Sequence, residues 1–404
     1  MQQRIAMSLS AVSLAVALAG CGESTSSETG SQYGNPATTP IDNNFNESAL
    51  IASVVDNVLI PTYQSFATQA DALHLSVSNY CDALRSNSNP SSAQSDAQAS
   101  WKSAMNEWQL AEVMQIGPLA ENDFALRNRI YSWPNVSTCA VDQEVINSQA
   151  DDYDIRTRTA SRRGLDALEY SLFNTNLAHT CTVAGTEPEN WDKLSDEQRK
   201  QARCDYAEIV AADLVDNANE LLTEWSGETG YGSVLKDAGK PDSRFSTSLE
   251  AVNDISDAMF YVKEVTKDTK IATPVGIAAN DCGTSPCPQN AESVYADHSL
   301  QNIIANLKAL RTLFLGGDAA NTGFDDFLTD VGDLDTAERL RADIDTAIAY
   351  AESLNGSFST TLEDDPEQIE ALHDDVKTVT DTMKTDFIES LSLELPATSA
   401  GDND

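Results

Sequence analysis

Residues 164–170 read Gly-Leu-Asp-Ala-Leu-Glu-Tyr and place two carboxylates, Asp166 and Glu169, three positions apart inside an otherwise apolar helical run. Positions i and i+3 share a helix face, so both side chains point the same way. Carboxylates held that close repel unless a cation, a proton or an arginine lies between them. The pair is therefore a candidate metal or acid/base site. A plainer outcome is a surface ion pair, because Arg162 and Arg163 lie one turn upstream and can neutralise Asp166.

Outward from this stretch, nearly every long segment repeats apolar residues at helical spacing, and alternating β-branched runs are scarce. The spacing predicts a helix over 48–85 with a kink or break at Pro61, a second over about 92–116 ended by Gly117-Pro118, a third over 156–173 and a fourth over 196–226. The glycine-rich stretch 227–241 separates these from helices expected at about 243–270, 292–315, 335–355 and 366–392. Four helices on each side of one connection predict an all-α fold with two four-helix-bundle-like halves, 47–230 and 231–396.

Several blocks in fixed order resemble the imelysin family of bacterial envelope proteins, which includes an insulin-cleaving membrane protease and iron-regulated lipoproteins. They are Trp101-Lys102-Ser103-Ala104-Met105-Asn106-Glu107-Trp108 running to Gly117-Pro118, Arg129-Ile130-Tyr131-Ser132-Trp133-Pro134 and the Gly164 segment, followed by Ile271-Ala272-Thr273-Pro274 and by Glu292 to Leu300. The Gly164 segment is similar to the family signature Gly-x-His-x-x-Glu, with Asp166 where the signature has histidine and Glu169 where it has glutamate. The resemblance implies an all-helical domain whose two halves meet at a cleft around the signature. Replacing imidazole by carboxylate trades a neutral nitrogen ligand for a hard anionic oxygen, which favours harder cations.

The N-terminus carries Arg4, an apolar run from Ile5 to Ala19 and then Leu18-Ala19-Gly20-Cys21, the pattern of a lipoprotein signal peptide over 1–20. Cys21 is expected to be lipidated and to hold the protein to the lipid bilayer, and Gly22 in place of Asp favours the outer membrane. Residues 22–46 are polar and glycine-rich and read, with Cys21, as a disordered tether, and 397–404 as a disordered tail. No later stretch reaches the about 18 apolar residues of a spanning helix. The folded part is thus expected in the cell envelope, facing the periplasm. With 64 acidic against 25 basic residues the chain carries a formal charge of −39, which argues against nucleic acid as a partner.

Apart from Cys21, the cysteines are Cys81, Cys139, Cys181, Cys204, Cys282 and Cys287, an even number that suits disulfides in an oxidising compartment. Among the possible pairings, Cys282 with Cys287, Cys181 with Cys204 and Cys81 with Cys139 are preferred, the first closing a tight turn and the second clipping an inter-helix loop. The chain lacks His-Glu-x-x-His and Gly-x-Ser-x-Gly, so neither a conventional zinc peptidase nor a serine hydrolase is signalled. Of four scattered histidines, His298 lies in a matching block and is a candidate third metal ligand beside Asp166 and Glu169. Trp101 and Trp108 share a face best explained as core. Asp325, Asp326, Asp330, Asp333 and Asp335 lack calcium-loop spacing and read as a solvated turn.

The candidate cleft residues are Glu112, Arg129, Trp133, Ser293, Tyr295 and Ser299, with Arg129 as the cation expected to satisfy the carboxylates if no metal is bound. The first functional expectation is binding of a metal, or of a metal-containing ligand, in envelope metal uptake together with other envelope proteins, iron being what the iron-regulated relatives imply. The second is a metal-dependent peptidase with Glu169 as catalytic base. The third is a structural or adaptor lipoprotein whose carboxylate pair is bridged by arginine.

Overall fold

The computed structural model describes residues 45–182, 185–396, 398 and 399. The signal peptide, Cys21 and nearly all of the tether and the C-terminal tail lie outside the described residues. Among those described there is no strand, only an isolated bridge between Asn280 and Gly283, and no helix is long and apolar enough to cross a membrane.

The chain enters through α1 (Glu47–Val54), a π-helical stretch (Val55–Leu59) and α2 (Ile60–Ser86). Pro61 sits in the first turn of α2, where its missing N–H costs least, so the chain passes it through the π stretch without breaking. Asn87 and Asn89 take left-handed conformations at the end of α2, and Pro90 opens α3 (Pro90–Glu112). Two helices follow that periodicity did not signal, α4 (Glu121–Ile130) and α5 (Thr138–Asn147). The expected helix over 156–173 is instead two 3₁₀ turns (Ile155–Thr157, Ala160–Arg162) and α6 (Gly164–Phe173). Gly164 explains the break. Its φ is +81°, and a Cβ there would come 2.5 Å from the Ile130 carbonyl oxygen, so only glycine can start α6 this close to the end of α4.

α7 (Asp196–Trp225) opens with a reciprocal cap between Ser195 and Gln198. The glycine-rich connection holds a short α8 (Tyr231–Lys236), then come α9 (Ser248–Met259), an eleven-residue π-helical stretch (Val262–Ala272) and α10 (Thr273–Val275). The rest is α11 (Ser299–Phe314), α12 (Phe324–Asp330), α13 (Leu334–Ser353), α14 (Phe358–Asp364), α15 (Pro366–Thr382), a π turn (Met383–Phe387) and α16 (Ile388–Leu391). In the acidic run Asp325, Asp326 and Asp330 lie in α12 and Asp335 in α13, with a turn at 331–333 between them: Asp326 accepts from the Gly323 N–H, and Asp333 caps α13 through the Thr336 N–H.

α2 packs against α3 and α7, with α6 against α7 and α3, while α13 packs against α11 and α15. The two parts meet where α3 lies along α11, and one continuous apolar core runs from Leu50 to Leu393. Trp101 and Trp108 are fully buried in it.

The disulfides correct the expected pairing at two of three bonds: Cys81 joins Cys204 and Cys139 joins Cys181, while Cys282 joins Cys287 as expected. The reason is helix packing. Cys81 and Cys204 face each other across α2 and α7, which leaves Cys181 beside Cys139 near the start of α5.

Candidate functional site

At the start of α6, Asp166 and Glu169 share one face as their spacing requires, and both line a pocket of about 270 Å³. Asp166 Oδ2 accepts hydrogen bonds from the Ser132 N–H at 3.0 Å and the Ser132 hydroxyl at 2.5 Å, while its Oδ1 is buried without a partner. Glu169 Oε1 accepts from the N–H groups of Tyr295 and Ala296, both at 2.9 Å. Left-handed Ser293 (φ 49°) and Asp297 (φ 50°) bracket that segment and turn two successive amides onto one oxygen. The pocket walls come from both parts of the chain, with Tyr131, Trp133 and Tyr170 on one side and Thr273, Asn290 and Tyr295 on the other.

Behind the pocket lies a buried charge network. Lys270, from the long π-helical stretch, sets its ammonium 2.6 Å from Gln109 Oε1, 3.0 Å from Asn306 Oδ1, 3.1 Å from Glu292 Oε1 and 3.4 Å from Glu112 Oε2. Arg127 donates to Glu112 Oε1 at 2.6 Å and to the Trp133 carbonyl at 3.1 Å. Glu292 Oε1 also accepts from the Tyr131 hydroxyl at 2.9 Å and from Gln109 at 3.1 Å. Glu112, Lys270 and Glu292 are at most 1 % exposed, so each charge depends on these partners.

The proton equilibria follow. Burial pushes the Asp166 carboxyl up to about 7 against the two Ser132 hydrogen bonds and the pull of Arg127. Burial pushes Glu169 further, to about 8, against the Ala296 amide and with repulsion from Asp166 added. Burial acts to raise Glu112 too, but Lys270 and Arg127 outweigh it and hold that carboxyl below its ordinary value. Burial raises Glu292, with Lys270 opposing. The lining carboxylates are thus poised near neutrality, and those behind are tied into ion pairs.

Of the residues proposed from sequence, Asp166, Glu169, Trp133, Ser293 and Tyr295 line one pocket. Glu112 stands behind it, and the Ser299 hydroxyl donates to the Glu292 carbonyl. Two expectations are corrected. Arg129 points away and pairs with Glu220 at 2.5 Å; two helical positions reverse the face, and Arg127 is the arginine turned inward. His298 does not join the pair, because its Nε2 lies 2.9 Å from Asn106 Oδ1 and its ring meets Trp101 edge-on at 5.9 Å. Burial and nearby Lys102 bring the His298 imidazole down to about 4, so it is neutral. The upstream arginines do not neutralise Asp166 either: Arg162 pairs with Glu144 and Arg163 with Asp213. Sequence reasoning missed Arg127, Tyr131, Lys270 and Glu292 as members of the site. Tyr131 and Glu292 stood inside the matching blocks, and Lys270 directly precedes Ile271.

Among the described residues no three His, Cys, Asp or Glu side chains gather as a metal-ligand group. The pocket offers two carboxylates and neutral oxygens from Thr273, Asn290 and Ser293. That donor set fits a hard cation more than a closed zinc site, which asks for imidazole or thiolate.

An imelysin-like protein from Psychrobacter arcticum 273-4 has the same fold, with a TM-score of 0.64 at 16 % identity over 87 % of this chain and 98 % of that one. A "putative iron-regulated protein A precursor" from Parabacteroides distasonis ATCC 8503 also gives 0.64, at 18 % identity over 86 % and 94 % of the two chains. No curated protein matches the sequence. The family model for imelysin, a peptidase-designated family, matches residues 59–383. That span takes in both walls of the pocket and the network behind it, and the chain belongs to the imelysin family.

Proposed function

We propose that the pocket binds a cation as cargo, a metal ion or a metal-containing ligand with iron as the metal, and that the protein serves envelope metal uptake. In this reading the lipidated Cys21 ties it to the outer membrane, facing the periplasm. The observation that carries the reading is the pair Asp166 and Glu169, on one helix face and in one pocket, with Asp166 Oδ1 buried and unpartnered. A carboxylate held near neutrality by burial gives up its proton to a cation that replaces the missing partner. Carboxylate oxygens suit hard cations such as ferric iron, and the name of the Parabacteroides neighbour links that protein to iron regulation.

Isothermal titration of the full chain in detergent with ferrous, ferric and zinc ions tests this. One site per chain is expected, weakened at least tenfold by Asp166→Asn and by Glu169→Gln. Absence of a site, or a site indifferent to both substitutions, overturns the reading.

The peptidase reading ranks second. It is favoured by the family designation and by a Glu169 carboxyl at about 8, in the range of a general base working near neutral pH. Chelator-sensitive cleavage of a peptide library, abolished in Glu169→Gln, would establish it; a library left intact would sink it. The adaptor reading has less support, since among the described residues no arginine bridges the pair.

A further inference from the structure

The structure assigns to this pocket a second class of cation, an organic ammonium carried on an apolar body. The assignment goes beyond the metal reading and rests only on what the two share, the carboxylate pair as a cation site.

Three features of the pocket point there. Size is the first. About 270 Å³ is room for roughly nine waters at about 30 Å³ each, a ligand on the order of ten non-hydrogen atoms. A bare ion between two carboxylates would fill a small part of it.

The second is the mouth. Seven large hydrophobic side chains are exposed among the described residues, and three of them, Val136, Val294 and Tyr295, line this one pocket. Scattered apolar residues need no explanation, but a cluster around a cleft marks a surface meant to be covered. A metal ion with its water shell gains nothing from it.

The third is the wall. Tyr131, Trp133, Tyr170 and Tyr295 line the pocket with the carboxylates, with Tyr170 and Tyr295 edge to face at 5.2 Å. Arg203 already lies 5.1 Å from the Tyr170 ring and Lys270 5.8 Å from the Trp133 ring, which leaves the exposed Tyr295 as the open ring. Aromatic faces attract an ammonium and cover the body that carries it. Anions, including anionic metal chelates, meet two carboxylates instead.

Donor and acceptor counts agree. Asp166 and Glu169 each spend one oxygen on fixed N–H or O–H groups, and Asp166 Oδ1 has no donor. An ammonium brings three donors and no acceptor. Carboxylates at the floor, aromatic walls and an apolar mouth match a molecule charged at one end and greasy at the other.

The probes are 2-phenylethylamine, 2-phenylethanol, which keeps the body and lacks the charge, and methylamine, which keeps the charge and lacks the body. They are titrated into the full chain in detergent, alongside the metal ions. 2-Phenylethylamine should bind at least tenfold more tightly than either control, and Asp166→Asn should weaken it at least tenfold. The exposed Val136→Ser and Val294→Ser pair should lower its affinity severalfold while leaving metal affinity within twofold. Because both valines are exposed, this variant keeps its fold, and circular dichroism checks the Asp166 variant. Metal binding in the pocket without amine binding overturns the assignment and leaves the metal reading standing. Amine binding without metal supports it and removes the metal reading. Phenylethanol binding as tightly as the amine overturns the assignment, and no binding of any probe or metal ion overturns both readings.

Discussion

Asp166 and Glu169 carry their carboxyls at about 7 and about 8 in the fold, against 3.8 and 4.5 for the free side chains. The folded protein therefore holds more protons than the unfolded chain between about pH 4 and pH 8, and stability falls as pH rises through that window. Asn and Gln do not titrate. In denaturant titrations without added ligand from pH 5 to pH 9, Asp166→Asn should gain stability relative to wild type as the pH climbs from 5 to about 7, and Glu169→Gln as it climbs from 5 to about 8, each gain levelling off above that. Parallel curves would show that neither group is held high. At this scale the sequence was informative about spacing and silent about partners. That Asp166 and Glu169 share a face follows from helix geometry. That Ser132 and the Tyr295 and Ala296 amides hold them depends on segments 34 and 126 or more residues away, which no local pattern reports.

Helical periodicity located the long elements because each needs an apolar stripe to bury. It failed where backbone conformation rules. Asn122, Asp123 and Phe124 are all left-handed at the start of α4, and positive-φ Gly164 splits the expected third helix. Arg127 was missed for the same reason, since the face of α4 was unknown without its bounds. The long π-helical stretch was equally invisible, and it matters most, for Val262–Ala272 turns Lys270 inward between Glu112 and Glu292. Stretches with π geometry are often found at functional sites. Lys270→Met leaves two carboxylates buried with one ammonium fewer and should destabilise the protein by about 3–5 kcal/mol in chemical denaturation. Adding Glu292→Gln should recover part of that loss, because a neutral amide no longer needs the ammonium. Equal stability of the single and double variants would contradict the coupling.

Across the whole molecule, the α3–α11 contact joins the two parts through a single core, and the pocket draws its walls from both. Cys81–Cys204 is the longest covalent tie, closing 123 residues between α2 and α7. The pairing was misread from sequence because loop length suggested a local clip at Cys181 and Cys204. Side-by-side α2 and α7 place Cys81 nearer to Cys204 than loop spacing could indicate, with Cα atoms 5.5 Å apart. Peptide mapping without reduction should recover Cys81 linked to Cys204 and Cys139 to Cys181; a Cys81–Cys139 peptide would refute this arrangement. Closing so long a loop restricts the unfolded chain, so replacing Cys81 and Cys204 together by alanine should cost about 4 kcal/mol. With one core, that loss should appear as a single shifted transition seen alike by tryptophan fluorescence and circular dichroism. Trp101, Trp108, Trp133, Trp191 and Trp225 all precede residue 230, so fluorescence reports chiefly the first part while circular dichroism reports helices throughout. Two separated transitions would mean that the parts unfold independently, and the pocket between them would then depend on their docking and not on a shared core.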